Sequence, residues 1–194
     1  MIVLAITGGS GCGKTTVSEI FRAEGIDVID TDKVARLIVE PRKPALNEIC
    51  KEFGEDYLNT DGTLIRSKLA QTVFSDSEKL KILNNITHKY IAEYVDEYII
   101  GYSKDILGID GAVIIESGIS YDYLLSVIAD KEERIKRIVK RDNISHINAT
   151  NRIKSQKDDT FYIEKSDYIV YNNTNSEDLS SQIKKIIKDL RSKL

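Results

Sequence analysis

The chain has 194 residues, with 31 acidic and 28 basic side chains and a net charge of −3. That balance gives no global attraction to nucleic acid, so an anionic ligand has to be held by a local cluster. Hydrophobic residues make up 41% without any apolar run near the roughly 20 residues that span a bilayer, and two cysteines are too few for a disulfide framework; a cytoplasmic protein with reduced thiols, no membrane association and no obligate protein partner is expected.

The chain opens on Ile2-Val3-Leu4-Ala5-Ile6, an apolar run that reads as a buried strand. It is short, lacks a basic flank and leads straight into a glycine loop, so it does not read as a signal peptide. Gly8-Gly9-Ser10-Gly11-Cys12-Gly13-Lys14-Thr15 fits G-x-x-x-x-G-K-[ST] at every required position. A helix follows from Thr16, with Val17, Ile20 and Phe21 on one face. Glycines let backbone N–H groups turn toward a phosphate, and the helix N-terminus adds positive partial charge there. Lys14 can then reach the β- and γ-phosphates, and the Thr15 hydroxyl can bind Mg2+. The chain is expected to bind a nucleoside triphosphate.

A second strand at 26–29 ends at Asp30-Thr31-Asp32. Residues from about 40 to 105 carry helical patterns over a length too great for a simple crossover, which predicts an inserted helical subdomain. Within it, Ser75 with Glu78 three residues on reads as a capping box. Leu80, Leu83, Thr87, Tyr90 and Tyr94 then recur at helical spacing. Further strands are expected at 112–115, ending at Glu116, at 125–129 and at 168–171. A last amphipathic helix starts at Ser176 as N-cap and carries Leu179, Ile183, Ile186 and Leu190 on one face. Strands alternating with helices argue for an α/β fold with a parallel sheet flanked by helices. In such sheets ligands bind at the carboxyl ends of the strands, where Asp32, Glu116 and the glycine loop should gather.

The sequence has no N-K-x-D motif for reading guanine, and a small-molecule kinase fits the remaining features. That chemistry needs a carboxylate beside the acceptor hydroxyl and arginines on the transferring phosphoryl group. Asp32 supplies the first; Arg134, Arg137 and Arg141 are candidates for the second, with Arg137 and Arg141 four apart on one helix face. Alternatives stand beside these readings. Asp30 or Asp32 can cap the following helix. Arg134 reads as part of a solvated face with Glu132 and Glu133. Glu116 can be a strand-end carboxylate, His88 an ordinary half-buried histidine, and His146 a surface residue. A kinase of another small molecule and a non-catalytic ATP-binding module remain as rival classes.

The stretch from Thr7 to Thr16, followed by Asp30-Thr31-Asp32-Lys33-Val34-Ala35-Arg36, resembles the opening of the dephospho-CoA kinase family. The resemblance continues in order through Glu40-Pro41, Asp61-Gly62 with Arg66, His88, Glu116, Arg137, Arg141-Asp142, Arg152, Gln156 and Asp167 to Asn172, nearly the whole chain. It implies a single P-loop NTPase-fold kinase domain over 1–194, with an acceptor-binding insertion at about 40–105 and a lid at about 137–160. The implied reaction moves the γ-phosphate of Mg-ATP to the ribose 3′-hydroxyl of dephospho-CoA, the last step of coenzyme A synthesis. Gly11, Cys12, Gly13, Lys14, Thr15 and Thr16 would hold ATP, with Asn172 near its adenine and Mg2+ on Thr15. Asp32 would be the base, Lys14 and Arg141 would act on the phosphoryl group, and Thr7, Asp32, Arg36, His88 and Glu116 would lie on the acceptor side. The partners implied are small molecules alone, with no nucleic acid and no membrane. Three positions depart from the family pattern: Lys89 replaces a proline, Gly111-Ala112-Val113 lacks one, and Thr174 replaces a glycine.

Overall fold

In the computed structural model, residues 1–112, 114–173 and 176–194 are described, with Ser176 and Glu177 by their backbone alone. Val113, Thr174 and the side chain of Ser176 therefore lie outside the described residues. In chain order the elements are β1 (Ile2–Thr7), α1 (Lys14–Ala23), β2 (Asp27–Asp30), α2 (Thr31–Leu37), α3 (Pro44–Phe53), α4 (Arg66–Phe74), α5 (Ser77–Ile100), β3 (Ile106–Asp110), β4 (Tyr123–Ile128), α6 (Lys131–Asp142), α7 (His146–Lys154), α8 (Asp159–Lys165), β5 (Tyr168–Tyr171) and α9 (Ser176–Arg191). The chain divides into two compact units, Met1–Ile29 with Ser103–Glu116 and Ser120–Leu194, and Asp30–Tyr102 with Ser117–Ile119.

The strands form one sheet in the order β2-β3-β1-β4-β5. β1 pairs in parallel with β3 and β4, and β4 with β5. All six residues of β1 are buried, as expected of a central strand covered on both faces. Leu4, Ile6, Ile106, Leu125 and Val127 pack with Val17 and Phe21 of α1 and with Leu179, Ile183 and Leu190 of α9. The apolar face expected for α9 is thus the one the core takes up.

The third strand is a correction. It runs over Ile106–Asp110 rather than 112–115, and Ala112 and Ile114–Glu116 lie in turns. Both stretches are apolar enough for a buried strand, but only the earlier one carries Gly108. β2 approaches so closely there that a Cβ on residue 108 would stand 2.9 Å from a Val28 methyl. A glycine inside a strand marks such a close backbone approach.

In the second unit α2, α3 and α4 each pack on α5, with Ala45, Leu46, Ile49, Leu69, Val73, Ile86, Ile91 and Val95 buried. The buried line of α5 is Ile86, Ile91 and Val95, while Leu80, Leu83, Thr87 and Tyr90 are half-buried and Tyr94 is exposed. The α5 cap also moves by one residue. Asp76, not Ser75, accepts from the amides of Glu78 and Lys79, and the Ser75 hydroxyl instead donates back to the Gln71 and Thr72 carbonyls of α4. Among the described residues no helix is long and apolar enough to cross a membrane.

Candidate functional site

The glycine loop joins buried β1 to α1 at the carboxyl end of the central strand. α1 has no acidic residue in its first turn and, among the described residues, no side chain capping its N-terminus. Its first amides and the positive end of its dipole are left for an anion. Lys14 Nζ lies inside the loop, donating to the Gly8 carbonyl at 2.9 Å. Cys12 is 1% exposed, and burial pushes its thiol pKa up, so it packs as a small apolar side chain. Thr15 and Thr16 are exposed at the start of α1.

The loop is held from outside through its carbonyls. Arg137 donates from Nη1 to the carbonyls of Gly11 and Cys12, each at 3.3 Å, and from Nη2 to that of Asn172 at 2.7 Å. The Asn172 amide donates to the same Cys12 carbonyl at 2.8 Å. A trans peptide is planar, with its C=O and N–H opposed. Pulling the Cys12 carbonyl outward therefore turns the Gly13 N–H the opposite way. Asn172 is buried and its side chain is engaged beneath the loop.

The three arginines of α6 do not divide as their sequence context suggests. Arg134, read as part of a solvated face, is 4% exposed and bonded to the loop. Arg141 has an exposed side chain that pairs with neighbouring Asp142 at 2.7 and 2.9 Å. Asp142 also accepts from Arg152 of α7. The Arg141 guanidinium, with Arg152 beside it, holds the Asp142 carboxyl down at about 2. The missed signal for Arg134 is its position four residues before buried Ile138 and next to buried Ile135, which puts it on the apolar stripe.

Asp110 was also overlooked, because the third strand was placed beyond it. It ends β3, registered beside Ile6 of β1, and accepts from the Ser18 hydroxyl of α1 at 2.7 Å. Thr7 is fully buried, and its hydroxyl has no hydrogen-bond partner among the described residues. Glu116 is exposed and lines a cavity of about 450 Å³ with Ala112, Gln156, Lys157, Phe161 and Tyr162. Gln156 also bonds to Ser10, so the cavity and the loop share a wall.

Except for His146, the remaining expected residues belong to the second unit. Asp30 caps α2, accepting from the Lys33 amide at 3.1 Å. Asp32 is exposed in the first turn of the same helix. Arg36 is exposed in its last turn, and its carbonyl accepts from Arg66 Nη2 at 3.2 Å. Burial and the neighbouring Arg36 charge both lower the Arg66 pKa. His88 is half-buried on α5. Beside it Lys89 and Tyr90 both donate to Glu48 of α3, at 3.2 and 2.7 Å. His146 is on the surface, at the start of α7.

A dephospho-CoA kinase of Corynebacterium glutamicum is 36% identical over 200 residues, covering 100% of both chains. The solved dephospho-CoA kinase from Campylobacter jejuni superposes with a TM-score of 0.72 at 28% identity, over 99% of this chain and 98% of that one. Shikimate kinase from Acinetobacter baumannii, at 14% identity, shares the fold alone, with a TM-score of 0.55 over 100% of this chain and 94% of that one. The family model for dephospho-CoA kinase matches residues 2–178, and the chain belongs to that family.

Proposed function

We infer that this protein transfers the γ-phosphoryl group of ATP to the ribose 3′-hydroxyl of dephospho-CoA, giving coenzyme A and ADP. The observation that carries this reading is the glycine loop between β1 and α1, with Lys14 inside it and the α1 N-terminus uncapped, in a chain of the dephospho-CoA kinase family.

The loop amides and Lys14 would hold the β- and γ-phosphates of ATP, supplying positive charge where negative charge shifts during transfer. Asp32 would accept the proton of the acceptor hydroxyl as its oxygen attacks phosphorus and the bond to the ADP oxygen breaks. The Thr15 hydroxyl and the Asp110 carboxylate suit a Mg2+ ion, which is bound through one or two carboxylates and leaves its other positions to phosphates and water. When bound, that ion would neutralise phosphate charge.

Residues from about 40 to 105 would receive the acceptor. Supporting this, Arg36 and Arg66 lie together without a carboxylate ion-pair partner among the described residues, which suits an anionic group of the acceptor. His88 and Glu116, and Thr7 at the end of β1, would complete that side. Residues from about 137 to 160, including Arg141, would form the lid over the phosphates, and the ATP adenine would lie near Asn172. The test is an ADP-release assay with Mg-ATP and dephospho-CoA set against a panel of nucleosides and sugars. Turnover with dephospho-CoA is expected; turnover of a nucleoside with none on dephospho-CoA would overturn the acceptor assignment.

A further inference from the structure

Ser10 is the loop residue most heavily anchored from outside. Its carbonyl accepts from Arg134 Nε at 2.9 Å. Its amide donates to Gln156 Oε1 at 2.9 Å, and its hydroxyl accepts from Gln156 Nε2 at 2.9 Å. Arg134 in turn donates from Nη1 to Asp159 Oδ1 at 3.0 Å, and Nη2 lies 3.5 Å from Gln156 Oε1. Asp159 opens α8, and Gln156 immediately follows α7. One buried guanidinium therefore ties the loop to the segment that leads into α8.

A buried charge of this kind is not explained by stability. Taking a guanidinium out of water is costly, and an apolar side chain of similar volume often packs as well or better. Its carboxylate partner, Asp159, is 43% exposed, whereas the Arg134 side chain is 5% exposed. The loop is also shaped around it: a Cβ on Gly9 would stand 2.2 Å from Arg134 Nη2. The consequence lies in the peptide that Arg134 grips. The Ser10 carbonyl and the Gly11 N–H belong to one planar trans unit. Holding the carbonyl toward α6 turns the Gly11 amide the opposite way, into the cradle.

Resting on the reading of this loop as the ATP site, we propose that Arg134 is a positioning residue for phosphate binding. Secured by Asp159, it fixes the Ser10–Gly11 peptide with its N–H aimed at the ATP phosphates, so the shape of the cradle depends on the start of α8. Arg137 and Asn172 do the same for the Cys12–Gly13 peptide, and the two grips act on different halves of the loop.

The test is titration calorimetry of Mg-ATP into the full-length protein without acceptor. Arg134→Met should raise the ATP dissociation constant by about tenfold, the loss of a charge-assisted hydrogen bond. Arg134→Lys, which keeps the charge without the fork, should lose an intermediate amount. Asp159→Asn, which keeps the shape and removes the charge, should weaken ATP binding in the same direction. The Arg134→Met/Asp159→Asn double variant should bind no worse than Arg134→Met alone, because the two act as one unit. Steady-state KM for dephospho-CoA should not move. Leu190→Ala, which opens a cavity in the α9 core, should lower the melting temperature and leave ATP affinity unchanged, separating a positioning role from general destabilisation. Wild-type ATP affinity in both Arg134→Lys and Asp159→Asn would overturn the proposal while leaving the ATP reading intact. A wild-type protein that binds no ATP would overturn both.

Discussion

Arg137 donates to the backbone carbonyl of Asn172 at 2.7 Å, while the Asn172 side chain donates to the Cys12 carbonyl at 2.8 Å. The residue following β5 and a helix from elsewhere in the same unit thus meet on one loop peptide. Asn172→Ala would leave the Cys12 carbonyl with, among the described side chains, only the 3.3 Å contact from Arg137 and would empty a buried position beside the loop. A stability loss of about 1–3 kcal/mol is expected, read as a lower urea midpoint, together with weaker ATP binding. Unchanged values for both would show that the grip on Cys12 does not matter.

Lys14→Ala should be well tolerated by the fold, since among the described residues the Lys14 ammonium hydrogen-bonds only to the Gly8 carbonyl. Removing a preorganised donor of this kind costs roughly 3 kcal/mol of transition-state stabilisation, about a hundredfold in rate. Stopped assays on the folded variant measure this directly. Near-normal turnover would refute the phosphate-loop reading.

Arg141 and Asp142 give a prediction in pH. Arg141, with Arg152 beside it, holds the Asp142 carboxyl at about 2, below its usual 3.8. A depressed carboxylate contributes stability that is complete above the unfolded value and disappears as pH falls through the folded one. Asp142→Asn should therefore unfold below the wild-type melting temperature at neutral pH and converge with it at about pH 2. A constant gap over that range would exclude the carboxylate as its source. Arg141→Ala removes the same pair, so its neutral-pH melting temperature should fall by no more than that of Asp142→Asn, and by little in either variant, because the Arg141 side chain is 61% exposed and surface pairs contribute little. If Arg141 serves in the lid, turnover should nonetheless fall strongly.

Local chemistry was legible wherever spacing alone determines it. The loop needs glycines, lysine and threonine at fixed offsets between a strand and a helix, and all of these stand in the sequence. The α9 face was legible because a 3.6-residue period leaves Leu179, Ile183, Ile186 and Leu190 on one side. Decisions that depend on tertiary contact were not. Residues 106–110 and 112–115 look equally strand-like, and the close approach of Val28 to Gly108 distinguishes them. That misplacement also hid Asp110, which is a strand end only in the observed register. Arg134 sits in a run of charges that suits a solvated face, and only the seating of α6 against the loop makes it a buried partner of Ser10. At the start of α5, Ser75 and Asp76 both present capping chemistry; the preceding helix engages Ser75, and Asp76 takes the cap.

Asp30 and Asp32 are two residues apart and separate cleanly by role. The Asp30 carboxylate accepts from the Lys33 amide at 3.1 Å, satisfying an N-terminal donor of α2. Asp30→Ala should therefore cost about 1 kcal/mol of stability, seen in urea unfolding, and leave the chemical step intact. Asp32 is exposed in the first turn of that helix, and the cap is supplied by its neighbour. A hydroxyl is a poor nucleophile until its proton has somewhere to go, and a positioned carboxylate contributes roughly 10²–10⁴-fold to such a step. Asp32→Asn keeps the shape and removes the basicity, so kcat should fall by about that range with ATP affinity and melting temperature little changed. Turnover, ATP binding and unfolding measured on both variants decide the assignment. If Asp30→Ala is the inactive protein and Asp32→Asn turns over normally, Asp32 is not the base.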